Sequence, residues 1–364
     1  MKKKLLSAIL SMTMVAALLA GCGSTAADTA APAADAPAAE EAAPAAEEAP
    51  AADAAEDTAA AADSGEQSAA PAEGLKVGVS MPTKDLQRWN QDGANMESQL
   101  KDAGYEVDLQ YANNDVQTQL SQVENMISGG CNVLVIAAIE GSSLGEALDM
   151  AKEASIPVIA YDRLLMDSDA VSYYATFDNY KVGQVQGQYV IDALDLDNAA
   201  GPFNIEFTAG DPGDNNAGFF FNGAMDLLKP YIDEGKLNVV SGQKTFEEVA
   251  TPTWGTDVAQ KRAENILSTN YADGTELDVW LCSNDSTALG VENALAANYN
   301  GKYPIITGQD CDIENTKNMI AGKQSMSVFK DTRTLAAQVV KMVGQILRVR
   351  QLMLTIQQLI TTTL

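Results

Sequence analysis

The sequence has no histidine, few aromatic residues and far fewer basic than acidic residues. The lack of histidine across 364 residues removes the commonest general base and metal ligand, although catalysis through carboxylates remains open. Lys and Arg number 23 against 50 Asp and Glu, which gives a net charge of -27. Because nucleic-acid phosphates require a basic surface, this balance argues against nucleic acid as a partner. We expect neither a metal site nor a cofactor.

The N-terminal segment has the pattern of an export signal. Lys2 to Lys4 precede an apolar stretch from Leu5 to Ala20, which is short for a membrane span. Leu19-Ala20-Gly21-Cys22 resembles a bacterial lipobox, so residues 1–22 are predicted to be a lipoprotein signal peptide that leaves Cys22 lipidated. A signal anchor or a plainly cleaved signal is the alternative. A lipid on Cys22 would hold the protein at the outer face of the cell membrane.

Residues 23–74 are rich in Ala, Pro, Asp and Glu and contain no Lys, Arg or aromatic residue. The acidic side chains repel one another, and recurrent Pro breaks the helix that Ala favours. The segment is therefore predicted to be a disordered acidic tether. From Leu75 onward 20 basic and 38 acidic residues remain, so the rest of the chain is acidic as well.

Strand-like and helical segments alternate after the tether. The strand-like runs are Val77–Ser80, Val107–Ala112, Val133–Ala138, Pro157–Tyr161 and Val171–Asn179, followed by a second series at Phe203–Phe207, Asn238–Val240, Leu277–Cys282 and Pro304–Thr307. The helical stretches are 89–103, 115–128, 142–154, 181–194, 217–229, 256–267 and 288–297. This alternation is typical of repeated βαβ units. It predicts an α/β fold of two doubly wound parallel-sheet lobes joined by a hinge, with a cleft between them.

Asp162 and Arg163 directly follow the apolar run from Pro157 to Tyr161. Open α/β sheets place their ligands at the edge where such strands end. A carboxylate accepts hydrogen bonds from hydroxyl groups and a guanidinium donates a planar fork, so the pair suits a polyol. A strand-end salt bridge is the alternative interpretation.

Other polar side chains also stand where predicted strands end. They are Arg88 and Trp89 after the first strand, Asp214, Asn215 and Asn216 after Phe207, Asn284 and Asp285 after Cys282, Gln309 and Asp310 after Thr307, and Trp254 between a strand and a helix. Acids, amides, Arg and Trp together suit a neutral sugar, whose hydroxyls bind polar groups while its C–H faces stack on indole. Because Arg88 and Arg163 could pair with a carboxylate, a uronic acid is an alternative ligand. Taken singly, Asn216 could be a helix cap, and Trp280 and Phe219–Phe221 are expected to be packing residues.

Two further patterns have structural interpretations. Asn113 to Gln117 superficially resembles a calcium loop, but it begins a predicted helix, where capping by Asn114 or Asp115 is favoured. Cys131 is expected to be a buried thiol. Cys282 and Cys311 lie at neighbouring strand ends, where a disulfide is conceivable but not expected.

Several of these motifs together resemble periplasmic sugar-binding proteins of the xylose and multiple-sugar group. The resemblance runs from about Lys76 to Leu347 and rests on Met81-Pro-Thr-Lys84 with Arg88-Trp89, Ile159–Arg163, Tyr173–Asn179, Asp214–Ala217, Ser283–Asp285, Gly308–Asp310 and Phe329–Arg333. It implies the type I periplasmic binding protein fold, with an N-terminal lobe of residues 75–172 and 312–347 and a C-terminal lobe of residues 173–311.

The resemblance also implies a function and a set of ligand-binding residues. Such proteins capture a monosaccharide in the hinge cleft and deliver it to an ABC permease. The implied binding residues are Arg88, Trp89, Asp162 and Arg163 from the first lobe, then Asn215 or Asn216, Trp254, Asp285 and Asp310, with Lys330 as a further candidate. No catalytic residue is implied, and a monomer is expected. The sugar is of the xylose, glucose, galactose or arabinose type.

Residues 348–364 depart from the pattern of this family. Members continue with an Asn-Asp-Thr-containing strand that makes a third hinge crossing, whereas Arg348 begins an unrelated apolar tail. Loss of one A from the codons CTT AAG GGT would read Leu-Arg-Val, as found here, and restoring it lets the family's Asn-Asp-Thr appear. We hypothesise a frameshift, which would leave a sheet edge of the second lobe unpaired; a genuine variant terminus is the alternative.

Other functional classes share some of these features. A sugar sensor that presents its closed form to a membrane chemoreceptor or kinase has the same sequence pattern as a transport receptor. A glycosidase would require a pair of acids with different pKa values, but the acids here are interleaved with Arg and Trp. A repressor of the same fold would require a basic helix-turn-helix, and none precedes Leu75.

Overall fold

The computed structural model describes the backbone of residues 74–363 and the side chains of residues 74–358. The predicted signal peptide, the lipidation site Cys22 and the predicted tether up to residue 73 lie outside the described residues. Nine strands and ten α-helices within this range form two α/β lobes. The predicted fold class is therefore confirmed.

The first lobe has a five-stranded parallel sheet of order β2-β1-β3-β4-β5. Apolar residues from β1, β3 and β4 are buried because helices cover both faces of the sheet. The elements of this lobe are β1 (Lys76–Met81), α1 (Gln87–Asp102), β2 (Glu106–Tyr111), α2 (Val116–Ser128), β3 (Val133–Ile136), α3 (Gly145–Glu153), β4 (Val158–Tyr161) and β5 (Val171–Ala175).

The second lobe has a four-stranded parallel sheet of order β7-β6-β8-β9. Its elements are α4 (Asn179–Leu194), β6 (Phe203–Thr208), α5 (Asn215–Asp233), β7 (Leu237–Val239), α6 (Phe246–Val249), a 3-10 helix (Pro252–Trp254), α7 (Thr256–Asn270), β8 (Val279–Cys282), α8 (Asp285–Asn298), β9 (Ile305–Ile306) and α9 (Ile313–Ile320). The chain then forms α10 (Thr332–Thr363), whose buried face packs in the core of the first lobe with residues of α1.

Both predicted lobe boundaries require correction. β5 pairs in parallel with β4, so the first sheet extends to Ala175 and the boundary at residue 172 falls within a strand. The predicted N-terminal lobe includes residues 312–328, but this segment belongs to the second lobe. In that segment the amide of Ser325 donates to Ile306 and the amide of Val328 donates to Gly308, which extends the second lobe past β9. The chain returns to the first lobe only after Val328.

The C-terminal tail is a continuation of α10 rather than an added strand. Arg348 lies inside this helix, which runs on to Thr363. Val349, Leu352, Met353, Leu354 and Ile356 are all exposed. The outer side of β9 is bonded instead by the segment from Ser325 to Val328, so that edge is partly covered.

Several local predictions can be compared directly with the structure. The Asp115 side chain accepts a hydrogen bond from the amide of Thr118, which confirms the predicted helix cap. Trp280 is fully buried, as expected of a packing residue. Phe220 and Phe221 are buried, but Phe219 is 46% exposed.

Cys131 is buried, and the three cysteines of the described range are free thiols. Within that range no helix is both long and apolar enough to cross a bilayer.

Candidate ligand-binding site

A polar cavity lies between the two lobes, where strands from both sheets end. Eight of the ten predicted ligand-binding residues line it: Arg88, Trp89, Asp162, Arg163, Asn216, Trp254, Asp310 and Lys330.

Asn215 and Asp285 are not among the lining residues. Successive residues of a helix point about 100° apart, so the start of α5 directs Asn216 rather than Asn215 into the cavity. The Asp285 carboxylate is turned into the second lobe, where it accepts hydrogen bonds from Gln324, Ser327 and the amide of Asp312. Its neighbour Asn284 occupies the cavity wall instead.

Sequence reasoning missed part of the lining as binding candidates. Asp214, Asn284 and Gln309 stand at strand ends, but that position alone does not show which of several adjacent polar residues faces the cavity. The remaining lining residues carry no strand-end signal or were assigned to packing: Leu86, Phe220, Ser286 and Asp312. Phe220 was expected only to pack, yet it forms part of the wall.

Arg88 is held between two carboxylates. Its Nε donates to Asp92 at 2.9 Å and its Nη2 donates to Asp162 at 2.5 Å. Asp92 lies one helical turn further along α1, is fully buried, and also accepts a short hydrogen bond from the Tyr161 hydroxyl. No described residue accepts a hydrogen bond from Arg88 Nη1, so this nitrogen remains available to a ligand hydroxyl.

Burial and the surrounding charges set the ionisation of this group of residues. Burial lowers the pKa of Arg88, but Asp162 and Asp92 more than offset this and hold it well above its ordinary value. Burial raises the pKa of Asp162, yet the facing Arg88 and Lys330 bring it below its ordinary value. The Arg88–Asp162 pair is therefore ionised at neutral pH.

Asp162 adopts a left-handed backbone conformation, with φ of 60°. This conformation is less favourable for Asp than for glycine, and contacts with the surroundings stabilise it. The support comes from hydrogen bonds to its carbonyl oxygen, donated by Thr176 at 2.8 Å, Tyr174 at 3.0 Å and Asn216 at 2.9 Å. The carboxylate is thereby free to face Arg88 and the cavity.

Arg163 joins the two lobes. Its Nη1 donates to the carbonyls of Ala138 and Ile139 in the first lobe, and its Nε lies 2.9 Å from Asp214 in the second. The guanidinium also lies over the ring of Trp89, with 5.0 Å between its central carbon and the ring centroid. Burial raises the pKa of Asp214, which makes its cationic neighbour important for keeping it charged.

Trp254 forms an aromatic wall in the second lobe. Its indole nitrogen donates to Asp214 at 3.2 Å, and its ring stands edge to face with Phe220 at 6.1 Å between centroids. Gly210 makes room for the ring, because a methyl group at that position would lie 2.0 Å from an indole carbon. The 3-10 helix before α7 holds Trp254 with φ of 56°.

Lys330 enters the cavity from the segment that returns to the first lobe. Its Nζ lies 3.1 Å from Asp310 and 5.2 Å from the centroid of the Phe220 ring. Asp312 lies beside this pair. Burial, with a further contribution from the charge of Asp310, raises the pKa of Asp312 to about 7.

The lining combines paired charges with aromatic and polar side chains. Three carboxylates each pair with one cation, in Arg88–Asp162, Arg163–Asp214 and Lys330–Asp310. Amides, a hydroxyl and two indoles complete the surface. Such a site offers many hydrogen bonds, and each of its three cations already has a carboxylate partner, with Asp312 as a further acid. No cation is left over for an anionic ligand, which suits a neutral polyhydroxylated one. The described residues contain no group of side chains that could hold a metal ion.

Comparisons with known proteins agree on one family. A family described as periplasmic binding protein domain matches residues 77–351. The multiple sugar-binding periplasmic receptor ChvE of Rhizobium radiobacter is 50% identical, over 74% of this chain and 77% of its own length. The D-xylose-binding periplasmic protein of Escherichia coli is 37% identical, over 74% of this chain and 76% of its own length.

Solved structures give the same result. The crystal structure of an ABC transporter solute-binding protein from Clostridium phytofermentans with bound β-D-glucose has a TM-score of 0.74 and 69% identity, covering 75% of this chain and 84% of the other. A carbohydrate transporter solute-binding protein from Chloroflexus aurantiacus in complex with D-glucose has a TM-score of 0.68 and 34% identity. That match covers 75% of this chain and 84% of the other.

Proposed function

This chain belongs to the periplasmic binding protein family, and we propose that it captures a neutral monosaccharide in the cavity between its lobes. Members of this family bind their ligands without transforming them, so the chain is a binding protein and not an enzyme. The proposed sugar is of the xylose, glucose, galactose or arabinose type. The β-D-glucose bound by a structural relative of 69% identity supports a hexose among them.

The arrangement of Arg88 and Asp162 carries the proposal most directly. The carboxylate can accept from one hydroxyl while Arg88 Nη1 donates to a neighbouring one, and the two groups are already oriented by their mutual hydrogen bond. Trp89 and Trp254 offer apolar faces for the C–H surfaces of the ring. The proposed binding residues are the eight predicted ones that line the cavity, together with Asp214 and Asn284.

The pairing of every cation in the lining with a carboxylate favours a neutral sugar over a uronic acid. Each cation in the lining already has a carboxylate partner, so a ligand carboxylate would have to displace an existing pair. Titration with glucose and with glucuronate at pH 7.5 tests this point. We expect tighter binding of glucose, and a lower Kd for glucuronate would contradict the neutral-ligand proposal.

We propose that the protein is exported, anchored through a lipid on Cys22, and delivers its sugar to an ABC permease as a monomer. Replacing Cys22 with Ala should move the protein from the membrane fraction to the soluble extracytoplasmic fraction. An unchanged membrane fraction would contradict the lipid anchor. Loss of uptake of the bound sugar after deletion of the gene would support delivery to a permease.

A sensory role is the second candidate, because one relative of 50% identity bears the description receptor. In that role the closed, sugar-bound form would contact a membrane chemoreceptor or kinase. Crosslinking in cells with and without the sugar distinguishes the two. Capture of a permease subunit supports transport, and sugar-dependent capture of a sensor protein supports signalling.

A further inference from the structure

Tyr174 lies outside the cavity lining but contacts both lobes. It is part of β5, the edge strand of the first sheet, and its side chain is 38% exposed. The hydroxyl lies 3.0 Å from the carbonyl oxygen of Asp162 and 3.3 Å from Oδ1 of Asn216, which belongs to the second lobe. Tyr174 is therefore in position to act on the cavity without touching its contents.

Asn216 faces Tyr174 and Asp162 with both of its polar atoms. Its Nδ2 donates to the Asp162 carbonyl at 2.9 Å. Its Oδ1 lies 3.3 Å from the Tyr174 hydroxyl, whose single proton is shared between this oxygen and the Asp162 carbonyl at 3.0 Å. We call Tyr174, Asp162 and Asn216 the interlobe cluster. Asn216 belongs to α5 of the second lobe, whereas Asp162 follows β4 and Tyr174 lies in β5 of the first lobe. The contacts of Asn216 with the other two residues therefore form only when the lobes are closed.

We propose that Tyr174 is a positioning residue that stabilises the closed arrangement of the lobes through the interlobe cluster, and so sets the affinity for every sugar without contacting any. This inference rests on the proposed sugar-binding function. If the binding-competent closed form is less populated, the apparent Kd rises by the inverse of its population, whichever ligand is bound. The effect of losing the Tyr174 hydroxyl should consequently be the same factor for each sugar.

The backbone conformation of Asp162 links the interlobe cluster to the ligand-binding cavity. Its left-handed backbone separates the two acceptors of one residue, with the carbonyl in the interlobe cluster and the carboxylate on Arg88. Closure of the lobes and the orientation of a ligand-binding carboxylate therefore depend on the same residue. A sugar that fixes the Asp162 carboxylate would favour the cluster, and the cluster would favour the sugar.

Tyr174→Phe tests this inference, with Tyr173→Phe as the matched control. Tyr173 is the preceding residue of the same strand, is 50% exposed, and its hydroxyl has no hydrogen-bond partner among the described residues. Calorimetric titration with glucose, xylose and galactose measures Kd for each variant. We expect Tyr174→Phe to raise Kd roughly three- to tenfold by the same factor for every sugar that binds, as for loss of one neutral hydrogen bond.

Three results would overturn the inference. These are a Kd unchanged by Tyr174→Phe, an effect that differs between sugars, and an equal effect of Tyr173→Phe. A double mutant with Asn216→Ala gives an independent check. If the two residues act through one cluster, Tyr174→Phe should have little further effect in the Asn216→Ala protein, whereas full additivity would contradict the cluster.

Small-angle scattering of the unliganded protein separates this inference from the proposed function. If the wild-type protein bound no sugar, the sugar-binding proposal would fail, but closure could still be measured. Tyr174→Phe should increase the radius of gyration of the unliganded protein relative to wild type and to Tyr173→Phe. An unchanged radius in that case would overturn the role of Tyr174. Melting temperatures near the wild-type value would show that the variants are folded.

Discussion

The guanidinium of Arg163 in the first lobe lies 2.9 Å from the carboxylate of Asp214 in the second, and both side chains are buried. The contact is an ion pair without hydrogen-bond geometry, because Arg163 Nε has no hydrogen-bond partner. Arg163 is nevertheless well anchored by the carbonyls of Ala138 and Ile139. The Arg163 guanidinium is therefore held in place by the first lobe, and Asp214 of the second lobe approaches it when the lobes close.

Replacing Arg163 with Ala should weaken sugar binding by about 2 kcal/mol or more, because Asp214 would be left buried without its cation. Calorimetry against the preferred sugar measures the change. Arg333→Ala is the control, since that residue is exposed and pairs with its neighbour Asp331. A folded Arg163→Ala protein with the wild-type Kd would remove this residue from the site.

Asp92 should matter although it does not line the cavity. Asp92→Asn removes the charge that orients Arg88 Nε, and we expect Kd to rise on the order of tenfold, as for a charge-assisted hydrogen bond. The decisive comparison is the same change made in an Arg88→Ala protein, where it should have little further effect. Equal effects of Asp92→Asn in the two backgrounds would show that it acts independently of Arg88.

The space beside Trp254 can be tested with two glycines. Gly210→Ala forces the indole to move, so binding should weaken on the order of tenfold, or about 1.4 kcal/mol. Gly218→Ala is the matched control, because no atom lies within 4 Å of a methyl group built there. Kd values and tryptophan fluorescence report both changes. Similar affinities for the two variants would contradict the placement of Trp254 in the wall.

Asp285 should make stability depend on pH. Burial raises its pKa to about 7, so the folded protein binds a proton that the unfolded chain, with a pKa near 4, has lost. Its contribution to stability is present below pH 4 and is lost as the pH rises through 7. Between pH 5 and pH 8 the melting temperature of wild type should therefore fall relative to that of Asp285→Asn.

Asp257→Asn is the control for this titration. Asp257 is exposed, and its hydrogen bond from Lys261 lowers its pKa, so it remains charged from pH 5 to pH 8. The difference in melting temperature between wild type and this variant should stay constant over that range. A constant difference for Asp285→Asn as well would contradict the raised pKa of Asp285.

The exposed apolar part of α10 should drive association at high concentration. Leu352→Glu places a charge in this patch and should reduce the sedimentation coefficient at high protein concentration. Ile320→Glu adds the same charge at an exposed residue of α9, outside α10, and should have little effect. Equal behaviour of both variants would contradict the role of the patch.

The frameshift hypothesis is tested separately by resequencing, and an intact reading frame would reject it.

The order of the nine strands and of seven helices could be predicted from the sequence because apolar periodicity is a local property, whereas α6, α9 and α10 were not among the predicted helices. The strand ends also identified most of the cavity, since parallel strands place their carboxyl ends at one edge. The choice between Asn284 and Asp285 could not be made in this way. It depends on hydrogen bonds from Gln324 and Ser327, which lie about forty residues further along the chain.

The lobe boundaries show the same limit. Residues 312–328 remain with the second lobe because Ser325 and Val328 bond beside β9, a pairing that no local pattern encodes. The left-handed conformation of Asp162 was equally hidden, since it is stabilised by Asn216 from the other lobe. Asp92 contacts Arg88 and Tyr174 contacts the backbone carbonyl of Asp162, so neither lines the cavity. The sequence pattern could not identify them because both act through contacts with distant or neighbouring site residues.

Isothermal titration of the purified protein against glucose, xylose, galactose and arabinose tests the central claim most directly, with an Arg88→Ala protein alongside. We predict one site per chain for at least one of these sugars, with much weaker binding in the variant because Asp162 and Asp92 lose their shared cation. A folded wild-type protein that binds none of the four, or binds equally well without Arg88, would contradict the proposed site.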